Sequence, residues 1–154
     1  MASTVLNNGI NDIGLIKSNF SQLRTELALR KVKSIDGILY DLGVSSHQID
    51  AVERGFSYDR DALLDMRMDS EIKQTAADIV NSLSVRELTQ VIRDYSEELH
   101  AGRIARAIEQ ARASKPVERT IELSRIIESV VGTGSKDSQK SKARVFQALR
   151  IYVN

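Results

Sequence analysis

From Gln74 to Asn154 apolar residues recur every three or four positions, the rhythm of helices that bury one face. Thr75 stands where it would cap a helix carrying Ile79, Val80 and Leu83. Ser84 with Glu87 makes a capping box, after which Val85, Leu88, Val91, Ile92 and Tyr95 share one face. A third helix carries Leu99, Ile104, Ile108 and Ala111 and stops before Pro116, because the residue ahead of a proline disfavours helical dihedrals. Thr120 is expected to cap a fourth, with Leu123, Ile126, Ile127, Val130 and Val131 inside and Gly132 at its end. Beyond a polar loop, Val145, Phe146, Leu149, Tyr152 and Val153 mark a last amphipathic helix. No internal repeat is visible.

Before Gln74 that rhythm occurs once. Asn19 with Gln22 can cap a helix that bears Leu23 and Leu27 and runs to about Val32. Ile35 to Tyr40 is too short for a helix and apolar on both sides of Gly37, which predicts a buried parallel strand. It ends on Asp41 and spills into Gly43, Ser45 and Ser46. Open α/β sheets hold their ligands in the crevice beyond such strand ends. Ser45 to Asp50 reads as a short helix, and Val52 to Asp69 as a loop of interleaved Arg and Asp. One strand cannot form a sheet alone, since its backbone groups need partners.

The 154 residues, 42% of them hydrophobic, suit one globular domain with a real core. The chain has no cysteine, so disulfides, thiolate metal sites and cysteine nucleophiles are excluded. No apolar run approaches the roughly 18 residues that a membrane span needs. The first residues lack the basic segment and apolar core of a secretory signal. A soluble, cytoplasmic protein without membrane partners is therefore expected. Net charge is only +1, but five bases (Lys136, Lys140, Lys142, Arg144 and Arg150) stand against Asp137 in the last segment. Such an end can track phosphates or simply be a solvated helix.

Asp41 is the first candidate for chemistry: an acid at a strand end can accept hydrogen bonds or face a cation, although aspartate also commonly caps turns. Asp59, Asp61, Asp65 and Asp69 do not follow a calcium-loop spacing and alternate with Arg54, Arg60 and Arg67. Ion-paired ordering of the loop is the better reading, and no metal site is expected. His47 and His100 have no ligand-spaced partners. Gly132 to Lys136 fails the phosphate-loop spacing and follows a helix rather than a strand. Arg103, Arg106 and Arg112 lie on one helix with Glu109, either a solvated face or a surface for phosphates.

Five segments in order add a resemblance. Asp36-Gly37-Ile38-Leu39-Tyr40-Asp41-Leu42-Gly43-Val44-Ser45-Ser46-His47-Gln48 comes first, then Glu53 to Ser57 and Asp65 to Asp69. Ala105 to Ile108 and Arg144 to Asn154 complete the set. Together they resemble the bacterial 16S rRNA cytidine-N4 methyltransferase family, from about residue 17 to the end. The resemblance implies an α/β fold: a partial Rossmann-like S-adenosylmethionine methyltransferase segment over residues 1–70, a helical insertion for substrate recognition over 71–140, and a helix returning to the core over 141–154. It also implies S-adenosylmethionine as cofactor, with Phe20, Asp41 and Gln48 at the positions that bind it. Asp41, Ser45 and Ser46 become the candidates for orienting the amine. Arg103, Arg106, Lys140, Lys142 and Arg144 become those for holding 16S rRNA of the small ribosomal subunit.

The glycine-rich cofactor loop of the family and its later Pro-Gly-Gly segment are absent, so the chain reads as a fragment or a drastically shortened relative. On its own it is expected to lack turnover and to self-associate through the unpaired strand. The competing reading is a non-catalytic helical module that binds RNA or protein.

Overall fold

In the computed structural model, residues 14–39, 54–69 and 71–154 are described. They fall into two units, one within Met1–Leu42 and one within Gly43–Asn154. In the first, the Asn19 side chain accepts a hydrogen bond from Ser21 N–H at 3.0 Å and opens a 3-10 turn, Phe20–Gln22. Helix α1, Leu23–Leu29, follows and ends short of Val32, where Lys31 takes a left-handed φ of +60°. The strand expected from Ile35 is not formed over residues 35–39, and Ile35, Ile38 and Leu39 are exposed. A strand needs neighbouring backbone to bond, and none is offered to it among the described residues. The short helix expected at Ser45 to Asp50 lies outside the described residues.

The second unit is built on caps. Thr75 and Asp78 bond reciprocally, Asp78 N–H to Thr75 Oγ1 at 3.1 Å and Thr75 N–H to Asp78 Oδ2 at 2.8 Å, opening α2, Ala76–Ser82. Ser84 and Glu87 do the same for α3, Val85–Ser96, which ends where Glu97 turns left-handed. Helix α4 is Ala101–Arg112, so Leu99 precedes it and is exposed rather than sharing its apolar face. Helix α5 is Thr120–Val131, closed by Gly132, and α6 is Lys136–Val153, capped by Ser135. Lys136 to Lys140, expected in a loop, are thus the first turns of α6.

Helices α3, α4, α5 and α6 each pack on the next, and α6 returns onto α3, closing a ring. Leu88 and Ile92 of α3, Ile104 and Ile108 of α4, Leu123 and Ile127 of α5, and Val145 and Leu149 of α6 fill its centre. Burying each such side chain contributes about 1.5–3 kcal/mol before entropic costs. Helix α2 packs on α4 and α6, and its Asn81 side chain clamps the Val117 backbone through two bonds of 2.9 and 3.0 Å.

Segment 54–69 is irregular, as its pattern suggested, yet it belongs to this core. Phe56, Leu64 and Met66 are buried in the same cluster as the helical residues. Its carbonyls receive the first free N–H groups of α2, Ala76 to Asp65 at 2.8 Å and Ala77 to Leu64 at 2.7 Å. Leu63 forms an isolated antiparallel bridge with Arg119. Thr120 does not cap α5 but is its first residue, fully buried. Its hydroxyl accepts from Ala62 N–H at 3.0 Å and donates to Arg60 C=O at 2.7 Å, tying the irregular segment to the helix. Glu122 serves the helix start instead, accepting from the N–H groups of Glu118 and Arg119, each at 3.0 Å.

Candidate functional site

Of the residues expected to touch a cofactor, Asp41, Ser45, Ser46 and Gln48 lie outside the described residues, as does His47. Phe20 is described: it opens the turn capped by Asn19, and its ring is 63% exposed. The exposed aromatic face is therefore free to cover a planar ligand in this unit.

The basic residues expected to meet RNA sort themselves around the C-terminal end of α5. Arg103 and Arg106 are exposed and border a shallow cleft with Gln110, Ser129 and Val130. Arg103 Nη2 donates to Val130 C=O at 3.0 Å, closing off one carbonyl at that helix end. Lys140 and Arg144 border a second cleft with Glu98, His100 and Val131. The two clefts thus flank Val130 and Val131. Lys142 departs from the expectation. It is buried, its Nζ donates to Glu128 Oε1 at 2.9 Å, and it lies over the Tyr58 ring 5.5 Å from the centroid. A lysine held that way is withdrawn from phosphates. Arg112 is likewise used internally, donating to Val80 C=O at 2.7 Å.

Three segments that carry the family resemblance meet at one place in the second unit. Arg54 C=O accepts from Met66 N–H at 3.0 Å, and Arg54 Nη2 donates to Met68 C=O at 3.2 Å. Gly55, with φ +69°, lies so close under Leu63 that a Cβ there would stand 2.1 Å from the Leu63 carbonyl oxygen. Only glycine fits both the conformation and the space. Arg67 grips Asp65 through Nε and Nη2 at 2.7 and 2.8 Å, and its Nη1 donates to Ile72 C=O at 2.9 Å. Those bonds hold the Asp65 carboxyl below its usual range, the Arg67 side chain first among the causes. Asn154 locks the C-terminal segment to this clamp, its Oδ1 accepting from Met68 N–H at 2.6 Å and its Nδ2 donating to Met66 C=O at 2.8 Å. Asp61 pairs with Arg119 at 2.9 Å. Two of the four loop aspartates, Asp61 and Asp65, are therefore occupied by arginine. The arrangement is a backbone clamp rather than a reacting centre.

The sequence profile of the MraW methylase family matches residues 1–154. The chain belongs to that family. A relative from Syntrophus aciditrophicus (strain SB), described as ribosomal RNA small subunit methyltransferase H, is 52% identical over 141 residues, 91% of this chain and 45% of the relative. A protein of the same description from Caldicellulosiruptor saccharolyticus is 50% identical over 144 residues, covering 94% of this chain and 47% of its own length. That from Brucella ovis is 49% identical over 144 residues, 92% of this chain and 41% of its own. The chain spans less than half the length of the curated relatives it matches.

In this member of the MraW methylase family, sequence reasoning missed several residues of consequence. Gly55 and Asn154 lie inside resembling segments, but nothing local tells that one sits under Leu63 and the other reaches Met66 and Met68. Glu98 gave no signal at all: an acid between two helices reads as solvated, whereas it is buried at 3% exposure. No helix among the described residues is long and apolar enough to cross a membrane.

Proposed function

We propose that the chain is part of an S-adenosylmethionine-dependent methyltransferase acting on the N4 amine of a cytidine in 16S rRNA of the small ribosomal subunit. The observation that carries this reading is its match to the MraW methylase family along residues 1–154, with relatives described as small-subunit rRNA methyltransferases. Residues 1–70 then contribute to a Rossmann-like α/β cofactor segment, 71–140 form the helical insertion, and 141–154 return to the core. Ile35 to Tyr40 becomes a strand when neighbouring strands of a relative-length protein supply hydrogen-bond partners. The exposure of Ile38 and Leu39 supports that need.

S-adenosylmethionine would be held by Phe20, Asp41 and Gln48. The exposed Phe20 ring suits an adenine face, and an acid at a strand end suits a sulfonium. The cofactor supplies an electrophilic methyl group. Asp41, Ser45 and Ser46 act by position, accepting hydrogen bonds from the amine so that its lone pair is held in line. Arg103, Arg106, Lys140 and Arg144 hold phosphates of the RNA, without Lys142. The setting is the cytoplasm, and the chain alone lacks turnover. A second reading, a helical module that binds RNA or protein without catalysis, is favoured by one observation: the ring of α3 to α6 closes its own core.

The test is a chimera in which this chain replaces the matching 141-residue region of the Syntrophus aciditrophicus relative. In a methyltransferase-null strain it should restore N4-methylcytidine in 16S rRNA, read by mass spectrometry of nucleosides. Unmodified rRNA beside abundant, folded chimera overturns the enzymatic reading. Asp41→Ala in that chimera should weaken S-adenosylmethionine binding by calorimetry and leave its melting unchanged. Unchanged affinity returns Asp41 to turn capping.

A further inference from the structure

The turn between α3 and α4 carries a carboxylate that folding buries without partnering both oxygens. Glu98 is 3% exposed; its Oε1 accepts from His100 N–H at 2.9 Å, while its Oε2 accepts no hydrogen bond. The Arg144 guanidinium, at 3.8 Å, is too far to donate but near enough to balance charge. Buried acceptors are normally bonded, because desolvation without a partner is costly. An orphan therefore marks a place where a donor arrives from outside. Glu98 lines a cleft with His100, Lys140, Ser141 and Arg144, and Asp137 borders it too.

These residues define the chemistry of what fits. Glu98 Oε2 needs an N–H, and since Arg144 already offsets its charge, a neutral amine suits it better than a cation. Lys140 and Arg144 against Asp137 leave the cleft's edge positive, which suits an anion. An amine and a phosphate on one molecule describe a nucleotide whose base bears an exocyclic amine.

We propose that this cleft takes one amino-bearing nucleotide of an unpaired RNA strand, the amine donating to Glu98 and the phosphate lying on Lys140 and Arg144. A carboxylate accepting from the N4 amine of cytosine is an established pairing, whereas uracil turns carbonyl oxygens toward it. The choice of RNA over a free nucleotide rests on the function proposed above. It draws support from Arg103 and Arg106, which border the neighbouring cleft and offer further phosphate contacts.

The experiment is an amide NMR titration of the whole chain with CMP, UMP, inorganic phosphate, and short single-stranded oligo(C) and oligo(U). Amides of His100, Lys140 and Ser141 should shift with CMP and oligo(C), and UMP should bind about tenfold more weakly than CMP. Oligo(C) should bind at least about tenfold more tightly than CMP as further phosphates engage. Glu98→Gln should erase the preference for C over U while keeping the response to phosphate. Should Glu98→Gln fail to fold, Lys140→Ala on the exposed first turns of α6 should weaken CMP and phosphate alike, and leave the preference of cytidine over uridine nucleoside intact. Equal binding of CMP and UMP, or shifts elsewhere, overturns the proposal. CMP binding as tightly as oligo(C) overturns its RNA source. The methylation chimera reports separately: methylation without these shifts fells this inference alone, and these shifts without methylation fell the enzymatic reading alone.

Discussion

Replacing Gly55 with alanine puts a methyl carbon 2.1 Å from the Leu63 carbonyl oxygen and 3.1 Å from Asp65 N, on a residue whose φ is +69°. The left-handed conformation costs an L-residue about 1 kcal/mol. The contact is with backbone on the facing segment, so no rotamer change relieves it, and residues 62–66 must retreat by about 1 Å. That retreat stretches the 3.0 Å bond from Met66 N–H to Arg54 C=O, worth about 1 kcal/mol. It also shifts Leu64 and Met66, which are 1% and 0% exposed, at a cost of about 1–2 kcal/mol in disturbed packing. The total is about 3–4 kcal/mol. Gly134 provides the control: its φ is +73°, and a methyl group there would meet nothing within 4 Å. Gly134→Ala should therefore cost only the conformational part, about 1 kcal/mol. Urea unfolding followed by far-ultraviolet circular dichroism measures both. Equal losses for the two variants would refute the reasoning, because the crowding under Leu63 would then carry no energy.

Three further outcomes follow from particular contacts. Thr120→Val keeps the side-chain volume but strips Ala62 N–H and Arg60 C=O of their partner, so it should lower stability by about 2 kcal/mol in thermal melts, and wild-type stability would sink this account. Lys142→Met should cost about 1–2 kcal/mol, since Glu128 keeps some access to water, yet leave RNA affinity unchanged across a salt series; a loss matching Arg103→Ala would show that Lys142 meets phosphate after all. Folded-state carboxyls are held low at Asp65 by Arg67, at Asp78 by the Thr75 backbone, and at Glu122 by Lys115. Their stabilisation is present above the ordinary values of 3.8 and 4.5 and is lost as pH falls through the lowered folded ones. Melting temperature should therefore drop steeply on acidification below about pH 4, and Asp65→Asn should flatten that drop.

The helices from Gln74 onward were legible because their information is local. A capping box spans four residues, as Ser84 with Glu87 shows, and an apolar stripe repeats within two turns, as Leu88 and Ile92 show. Thr120 misled because threonine at a helix start ordinarily caps, whereas its hydroxyl partners are at Arg60 and Ala62, some 60 residues away. Lys142 misled for the same reason: a lysine on a helix looks solvated until Glu128 and Tyr58 are folded against it. Segment 54–69 has no period to read, and its burial of Phe56, Leu64 and Met66 follows from a backbone that bonds to α2 and α5 rather than to itself. Ile35 to Tyr40 carries the pattern of a strand buried on both faces, but pattern is only half of a strand, and hydrogen-bonding neighbours are the other half.

That contrast separates two kinds of residue within the family resemblance. Gly55, Met66, Arg67 and Asn154 come from segments up to about a hundred residues apart, and their side chains or backbones bond to make one clamp. Any sequence that keeps this crossing must keep a glycine under Leu63 and an amide reaching Met66 and Met68, whatever the protein does. A match at these positions is thus explained by packing alone. Phe20 and Glu98 are different, because the described structure gives the Phe20 ring no burial and the Glu98 Oε2 no hydrogen bond. Packing leaves both without a reason, and a ligand supplies one. The described residues where function is to be sought are therefore those whose chemistry the fold does not consume.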